Sequence, residues 1–150
     1  MKIAIGADSA GYSMKEKIKK HLADRGVETV DFGTDSEASC HYPEFAYKVS
    51  KCVSEKGADF GILVCGTGIG MSIAANKVRG IRAAVVSEHF SAKCTRVHND
   101  SNVLCLGARV IGEGIALELV DVFIDTAPEG GRHAKRVNMI TEIENGTYTE

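Results

Sequence analysis

The sequence predicts an α/β domain: one five-stranded parallel sheet with helices on both faces. Three observations carry this. Short apolar runs alternate with amphipathic stretches along the whole 150-residue chain. Runs such as "KIAIGA" read as buried strands, as in a parallel sheet covered on both faces. No internal repeat or low-complexity linker breaks the rhythm, so residues 1–150 read as a single domain of a size that fills one core.

The first run, "KIAIGA", reads as a buried strand. "SMKEKIKKHLADRG" reads as a helix. Ser13 and Glu16 have capping-box spacing, Met14, Ile18 and Leu22 form one stripe, and Gly26 suits the position just past the end. Its lysines read as a solvated face. "VETVDFG" is the second strand. Pro43 opens a second helix ending at Gly57, with Phe45, Val49, Cys52 and Val53 on its buried stripe. "DFGILVC" is the third strand, and a glycine turn leads into a helix over 69–78. "GIRAAVVS" is the fourth strand, followed by a helix containing "EHFSAKCTRVHND". "NVLCLG" is the fifth strand. A helix over 114–125 follows, then a last helix after "PEGG" with Val137, Ile140 and Ile143 on one stripe. Five strands in this rhythm fit a Rossmann-like sheet in the flavodoxin-like order 2-1-3-4-5. Its switch point lies between strands one and three, and ligands bind there beyond the carboxyl ends of the strands. Asp8 and Cys65 fall at that crevice.

Charge and cysteine content narrow the function classes. The formal net charge is −2, so no global field draws nucleic acid or an anionic membrane, although "KEKIKK" and "GGRHAKR" are locally basic. The chain opens directly on a strand-like run, which reads as a cytoplasmic protein. The uncharged stretch from Phe60 to Asn76 is short for a membrane span and broken by glycines. Five cysteines without CxxC spacing argue for reduced thiols, not a disulfide framework. The five histidines make no HxxxH or HExxH, so no metal site is expected.

The chemistry concentrates in "ILVCGTGIGMSIAA", which begins at Ile62. Gly66, Gly68 and Gly70 give GxGxG. A dinucleotide fingerprint needs a third glycine where Met71 stands, and no GK[ST] makes a Walker loop. Glycines still let backbone amides approach an anion, and the following helix adds its positive end. Those donors suit a phosphate or a developing oxyanion. A thiol beside them, Cys65, suits a nucleophile or a general base. The alternative is a strand-end thiol above a turn that is glycine-rich for packing. Arg132 and Arg136 share one helix face at i, i+4, a repulsive pair that a bound anion would favour; a solvated basic helix is the other reading. His98 lies near a helix end beside polar Asn99 and Asp100, whereas His21, His41 and His89 read as surface or core residues.

Together, "IGADSAG", "HYPEFA", "CGTGIGMSIAANK", "RVHNDSNVLCLGARVIG" and "GGRHAKRV" resemble type B ribose-5-phosphate isomerase, in the family shared with galactose-6-phosphate isomerase. The resemblance covers nearly the whole chain. It implies interconversion of aldose and ketose phosphates in carbohydrate metabolism, within the pentose phosphate pathway, without metal or cofactor. It implies that Cys65 is the base moving a proton between C1 and C2, that Thr67 assists, and that His98 is the acid opening the sugar ring. The amides of Gly66, Gly68, Ile69 and Gly70 would stabilise the enediolate. Asp8 and Asn99 would hold sugar hydroxyls; Arg109, Arg132 and Arg136, with His133 beside them, would bind phosphate. It further implies a homodimer or homotetramer whose last helix packs on a neighbouring subunit, with sites shared between chains. Ser9 departs from the family, which usually has histidine there. That leaves a roomier site and two alternatives: a six-carbon substrate (allose 6-phosphate or galactose 6-phosphate), or a non-catalytic sugar-phosphate binder.

Overall fold

A computed structural model describes all 150 residues. The strands are β1 (Lys2–Ala7), β2 (Glu28–Asp31), β3 (Phe60–Cys65), β4 (Ala83–Val85) and β5 (Val103–Gly107). The helices are α1 (Tyr12–Asp24), α2 (Tyr42–Ser54), α3 (Ile69–Ala75), α4 (His89–Asn99), α5 (Glu113–Asp125) and α6 (Gly131–Asn145). All strand pairs are parallel. One core packs Met14, Ile18 and Leu22 of α1, Ala92 of α4 and Leu119 and Phe123 of α5 on the sheet. The other packs Val49 and Val53 of α2 and Met71 and Ala75 of α3 on the opposite face. No helix is long and apolar enough to cross a membrane.

The strand order is β2-β1-β3-β5-β4, which corrects the expected 2-1-3-4-5 in its last two strands. Burial explains the exchange. β5 is buried at every residue and belongs beside β3, whereas β4 is three residues long and partly exposed, as suits an edge. Asn76 covers that edge: its side chain donates to Ala83 O at 2.9 Å and accepts from Ala83 N–H at 2.8 Å. The exchange matters for function. The steps β3→β4 and β4→β5 run in opposite directions, so right-handed crossovers put α3 and α4 on opposite faces. In the expected order they would share one.

The start of α1 also differs from expectation. Ser13 is not its cap; Gly11 holds that position, two residues earlier, and the helix begins at Tyr12. Asp8 Oδ1 accepts from the amides of Ala10 and Gly11 at 3.0 Å each, and this turn launches the helix. Gly11 is required because a Cβ there would lie 2.3 Å from Val64 O. Lys15 is not solvated either. It is buried and pairs with Asp31 at 2.5 Å and Glu16 at 2.8 Å. At the other end Gly26 takes φ +72°, as its position past the helix end requires.

Candidate active site

The candidate residues form two groups, not one. The first stands beyond the carboxyl ends of β1, β3 and β5. Cys65 ends β3 and is 5% exposed. Its Sγ accepts from Gly68 N–H at 3.0 Å, so the turn curls over the sulfur. Gly68 needs its glycine twice over: φ is +79°, and a Cβ would lie 2.4 Å from Val85 Cγ2. Ile69 N–H donates to Thr67 Oγ1 at 3.3 Å. No acceptor in the chain takes the amides of Gly66, Thr67 or Gly70, so these donors remain for a ligand. Arg109 joins them. Its amide donates to Gly66 O at 3.0 Å, and its side chain lies over Gly66, 3.5–3.7 Å from where a Cβ would be. Asp8 N–H donates to Val64 O at 3.2 Å, which sets Asp8 and the neighbouring Ser9 beside the sulfur-bearing strand end. Cys105 sits one strand over, fully buried, and burial pushes its thiol far up, so Cys65 is the only one of the pair suited to chemistry.

Sequence reasoning missed Tyr42. Its ring lies over Gly70, where a Cβ would approach Cζ to 2.8 Å, so it walls the turn from the α2 side. The "HYPEFA" motif contained this residue; only the fold brings α2 against α3.

The second group gathers where the end of α4 meets the start of α6. The His98 and His133 rings stack, with centroids 4.3 Å apart and planes 17° apart. Arg132 Nε lies 3.4 Å from His133 Nε2. Asn99 and Arg136 line the same cavity as the two rings. Burial, then the neighbouring His98, hold His133 below the usual histidine range, against the pull of Glu129. The ligating atoms of His98, Glu129 and His133 lie within 4.8 Å of one another, the one set in the chain that could hold a metal ion.

The two groups sit at opposite ends of the sheet. His98 is followed by Ser101 and the first residue of β5, Val103, whereas Cys65 pairs with Gly107, the last. Four strand steps separate these levels, roughly 13 Å at the usual rise. One chain therefore keeps the two groups apart: Cys65, the glycine turn, Asp8, Ser9 and Arg109 at one end; His98, Asn99, Arg132, His133 and Arg136 at the other.

The second group is held by a buried arginine. Arg96 is 4% exposed. Its guanidinium lies over the rings of Phe60 and Phe123, 4.6 and 5.4 Å from their centroids. It donates to Asp100 Oδ1 at 2.7 Å, Ser101 O at 2.6 Å and Thr126 O at 3.2 Å. Arg82 grips the same carboxylate at 3.2 Å and Asn99 O at 3.1 Å. Asp100 itself caps α4 at φ +46°. This clamp sets the helix end that presents His98 and Asn99. Arg96→Ala strips three acceptors and opens a void, while Asp100 keeps Arg82. A loss of about 3 kcal/mol is expected, or roughly 6–12 °C in Tm for a chain of this size. Thermal unfolding measures it, and a shift below about 2 °C would refute the clamp.

The family model described as Ribose/Galactose Isomerase matches residues 3–140. The chain is 50% identical over 143 residues to Ribose-5-phosphate isomerase B of Escherichia coli, covering 95% of this chain and 96% of that one. It superposes on the Clostridium thermocellum Ribose-5-Phosphate Isomerase B structure with a TM-score of 0.96 at 49% identity, covering 99% and 100% of the two chains. It also superposes on Ribose-5-phosphate Isomerase B from Mycoplasma genitalium with bound Ribulose-5-phosphate, with a TM-score of 0.92 at 38% identity, covering 96% of each chain.

Proposed function

This chain belongs to the ribose/galactose isomerase family, and from that premise we propose that it interconverts ribose 5-phosphate and ribulose 5-phosphate through an enediolate, as a single cytoplasmic domain needing no metal or cofactor. The carrying observation is the Cys65 thiol held inside a turn in which the amides of Gly66, Thr67 and Gly70 have no acceptor in the chain. A base and oxyanion donors are needed together, because the enediolate forms where the base has just acted.

His98 gives a proton to the ring oxygen, the anomeric hydroxyl gives one to solvent water, which restores the proton of His98, and the ring opens to the aldehyde. The Cys65 thiolate takes the C2 proton. Negative charge moves to O1, against the amides of the Gly66–Gly70 turn. Thr67 helps pass the O2 proton to O1. Cys65 returns its proton to C1, leaving a ketone at C2. Arg109, Arg132 and Arg136, with His133, hold the phosphate, and Asp8 and Asn99 hold hydroxyls.

These roles make each group half of a site and require the two to meet, and we infer that a second copy supplies the missing half. A two-fold pair does this twice, since each half-site meets the other's complement. The surface of α6 supports it: in 15 residues only His133 is buried, while Ile140 and Ile143 are 45% and 62% exposed. A panel assay with ribose 5-, allose 6- and galactose 6-phosphates tests the function. No turnover of ribose 5-phosphate would sink the reading.

The role of His98 has a separate test. A four-carbon aldose phosphorylated on O4 has no free hydroxyl with which to close a five-membered ring. His98→Asn should cut turnover of ribose 5-phosphate by about 10²-fold or more, yet change turnover of erythrose 4-phosphate by less than about threefold. Equal losses on both would mean that His98 does not act in ring opening.

Ser9 favours the second reading, a six-carbon substrate. It is half-buried beside Asp8, and serine leaves space and one hydrogen-bonding group fewer than histidine would. Ser9→His should lower KM for ribose 5-phosphate by roughly fivefold, about 1 kcal/mol, and penalise a six-carbon phosphate. An unchanged ratio of kcat/KM for the two sugars would refute this.

A further inference from the structure

The geometry points to a divalent transition-metal site formed by His98, Glu129 and His133, which takes a zinc-class ion and switches the isomerase off. The three groups come from separate elements: the last turn of α4, the loop before α6, and the first turn of α6. All pairs of their ligating atoms lie within 4.8 Å. His133 Nε2 and Glu129 Oε2 are already 3.5 Å apart. Two ligands of a tetrahedral zinc with bonds of about 2.05 Å stand about 3.4 Å apart, so this pair is nearly at coordination distance. The stacked rings, 17° apart in plane, do not yet aim both lone pairs at one point; His98 is half-buried and Glu129 exposed, so His98 turns out of the stack and Glu129 rotates to close the gaps while buried His133 stays in place.

The backbone ties these segments together. Glu129 N–H donates to Val97 O at 3.1 Å, joining the loop to α4 beside His98. His133 N–H donates to Gly130 O at 3.0 Å, fixing the turn between the other two ligands. A cavity of about 210 Å³, lined by His98, Asp100, Pro128, His133 and Asn138, opens beside the set and admits an ion with its water. Two imidazoles, one carboxylate and an open fourth position suit zinc, cobalt or nickel; magnesium and calcium prefer all-oxygen sets. Arg132 and Arg136 oppose a cation here. Both are exposed and long, so they can swing off the ring, and they favour an anion in the fourth position. The site is therefore one of moderate affinity that responds to metal concentration.

Metal binding follows from the ligands alone. Inhibition rests on the role proposed above for His98, because a metal on its ring nitrogen removes the proton donor. The test uses untagged protein in a Cys65→Ser background for binding, so that the thiol does not compete for the metal. Titration with Co²⁺ should develop the visible absorption of a low-coordinate site, and Glu129→Gln should weaken that binding at least tenfold. In the otherwise native enzyme, Zn²⁺ should inhibit reversibly, with EDTA restoring full rate. Glu129→Gln, which leaves metal-free activity unchanged, should raise the half-inhibiting Zn²⁺ concentration at least tenfold. Equal Co²⁺ binding with and without Glu129 overturns the site. Glu129-dependent Co²⁺ binding without inhibition upholds the site and overturns the acid role of His98.

Discussion

Cys65→Ala is expected to cut kcat for ribose 5-phosphate by about 10²–10⁴-fold, the span that one positioned acid–base group supplies, while leaving sugar-phosphate affinity within about threefold. The two effects separate because the thiol acts on a C–H bond and affinity comes mainly from the arginines. The fold should tolerate the change. Cys65 is 5% exposed, and losing one sulfur atom leaves a small void worth on the order of 1 kcal/mol. Gly68 N–H loses its acceptor at 3.0 Å, but it lies in the turn beside the ligand space and can be taken up by water or substrate. Two measurements check this: exchange of solvent deuterium into the sugar, which reads the C–H step directly, and calorimetric binding of ribitol 5-phosphate, which has no carbonyl to react. Near-normal exchange in the variant would exclude Cys65 as the base. Lost binding with normal exchange per bound sugar would make it a substrate contact.

The second large effect is a recovery. Arg132→Ala and Cys65→Ala should each be nearly inactive alone. Mixed under conditions of complete subunit exchange, they should regain about a quarter of the native specific activity. Half of a random dimer population is mixed, and each mixed dimer has one site with both residues intact and one with neither. The expectation comes from the sheet. Arg132 and His98 belong to the end where β5 starts, Cys65 to the end where it finishes, roughly 13 Å away by strand rise. If both residues served one chain's site, every mixed site would lack one of them and no activity would return. Recovery near a quarter supports the shared site; none, with exchange proven by mass spectrometry, rejects it. A dimer and a tetramer built of such dimers give the same fraction, so the result does not depend on which assembly forms.

Much of this was legible from local pattern. Apolar runs marked the central strands β1, β3 and β5, because parallel strands buried on both faces have no polar side to show, whereas the edge strand β2, Glu28–Asp31, was legible from its place in the alternation. β4 was read too long: "GIRAAVVS" is apolar enough for a central strand, but only Ala83–Val85 pairs. The Ser13 capping box satisfied a local rule that lost to Asp8, whose turn starts the helix earlier. Lys15 looked solvated because periodicity does not reveal that Asp31 stands beside it. Tyr42 drew no notice, since no partner near it in sequence marks a site; Glu129 drew none although His133 stands four residues on, because the third member of the set, His98, comes from α4.

By itself the sequence determined which segments form strands and helices, that the sheet is parallel, and that a thiol and an amide-rich turn share one strand end. Each follows from neighbours within a few residues, where side-chain spacing and glycine's backbone freedom act directly. Only the tertiary structure decided that β5 precedes β4 in the sheet, that α4 covers the face opposite α3, and that His98 and Cys65 stand at opposite ends of the sheet. Those are choices between pairings far apart in sequence. They are settled by which strand can be buried on both sides and by the right-handed crossover that each pairing then imposes.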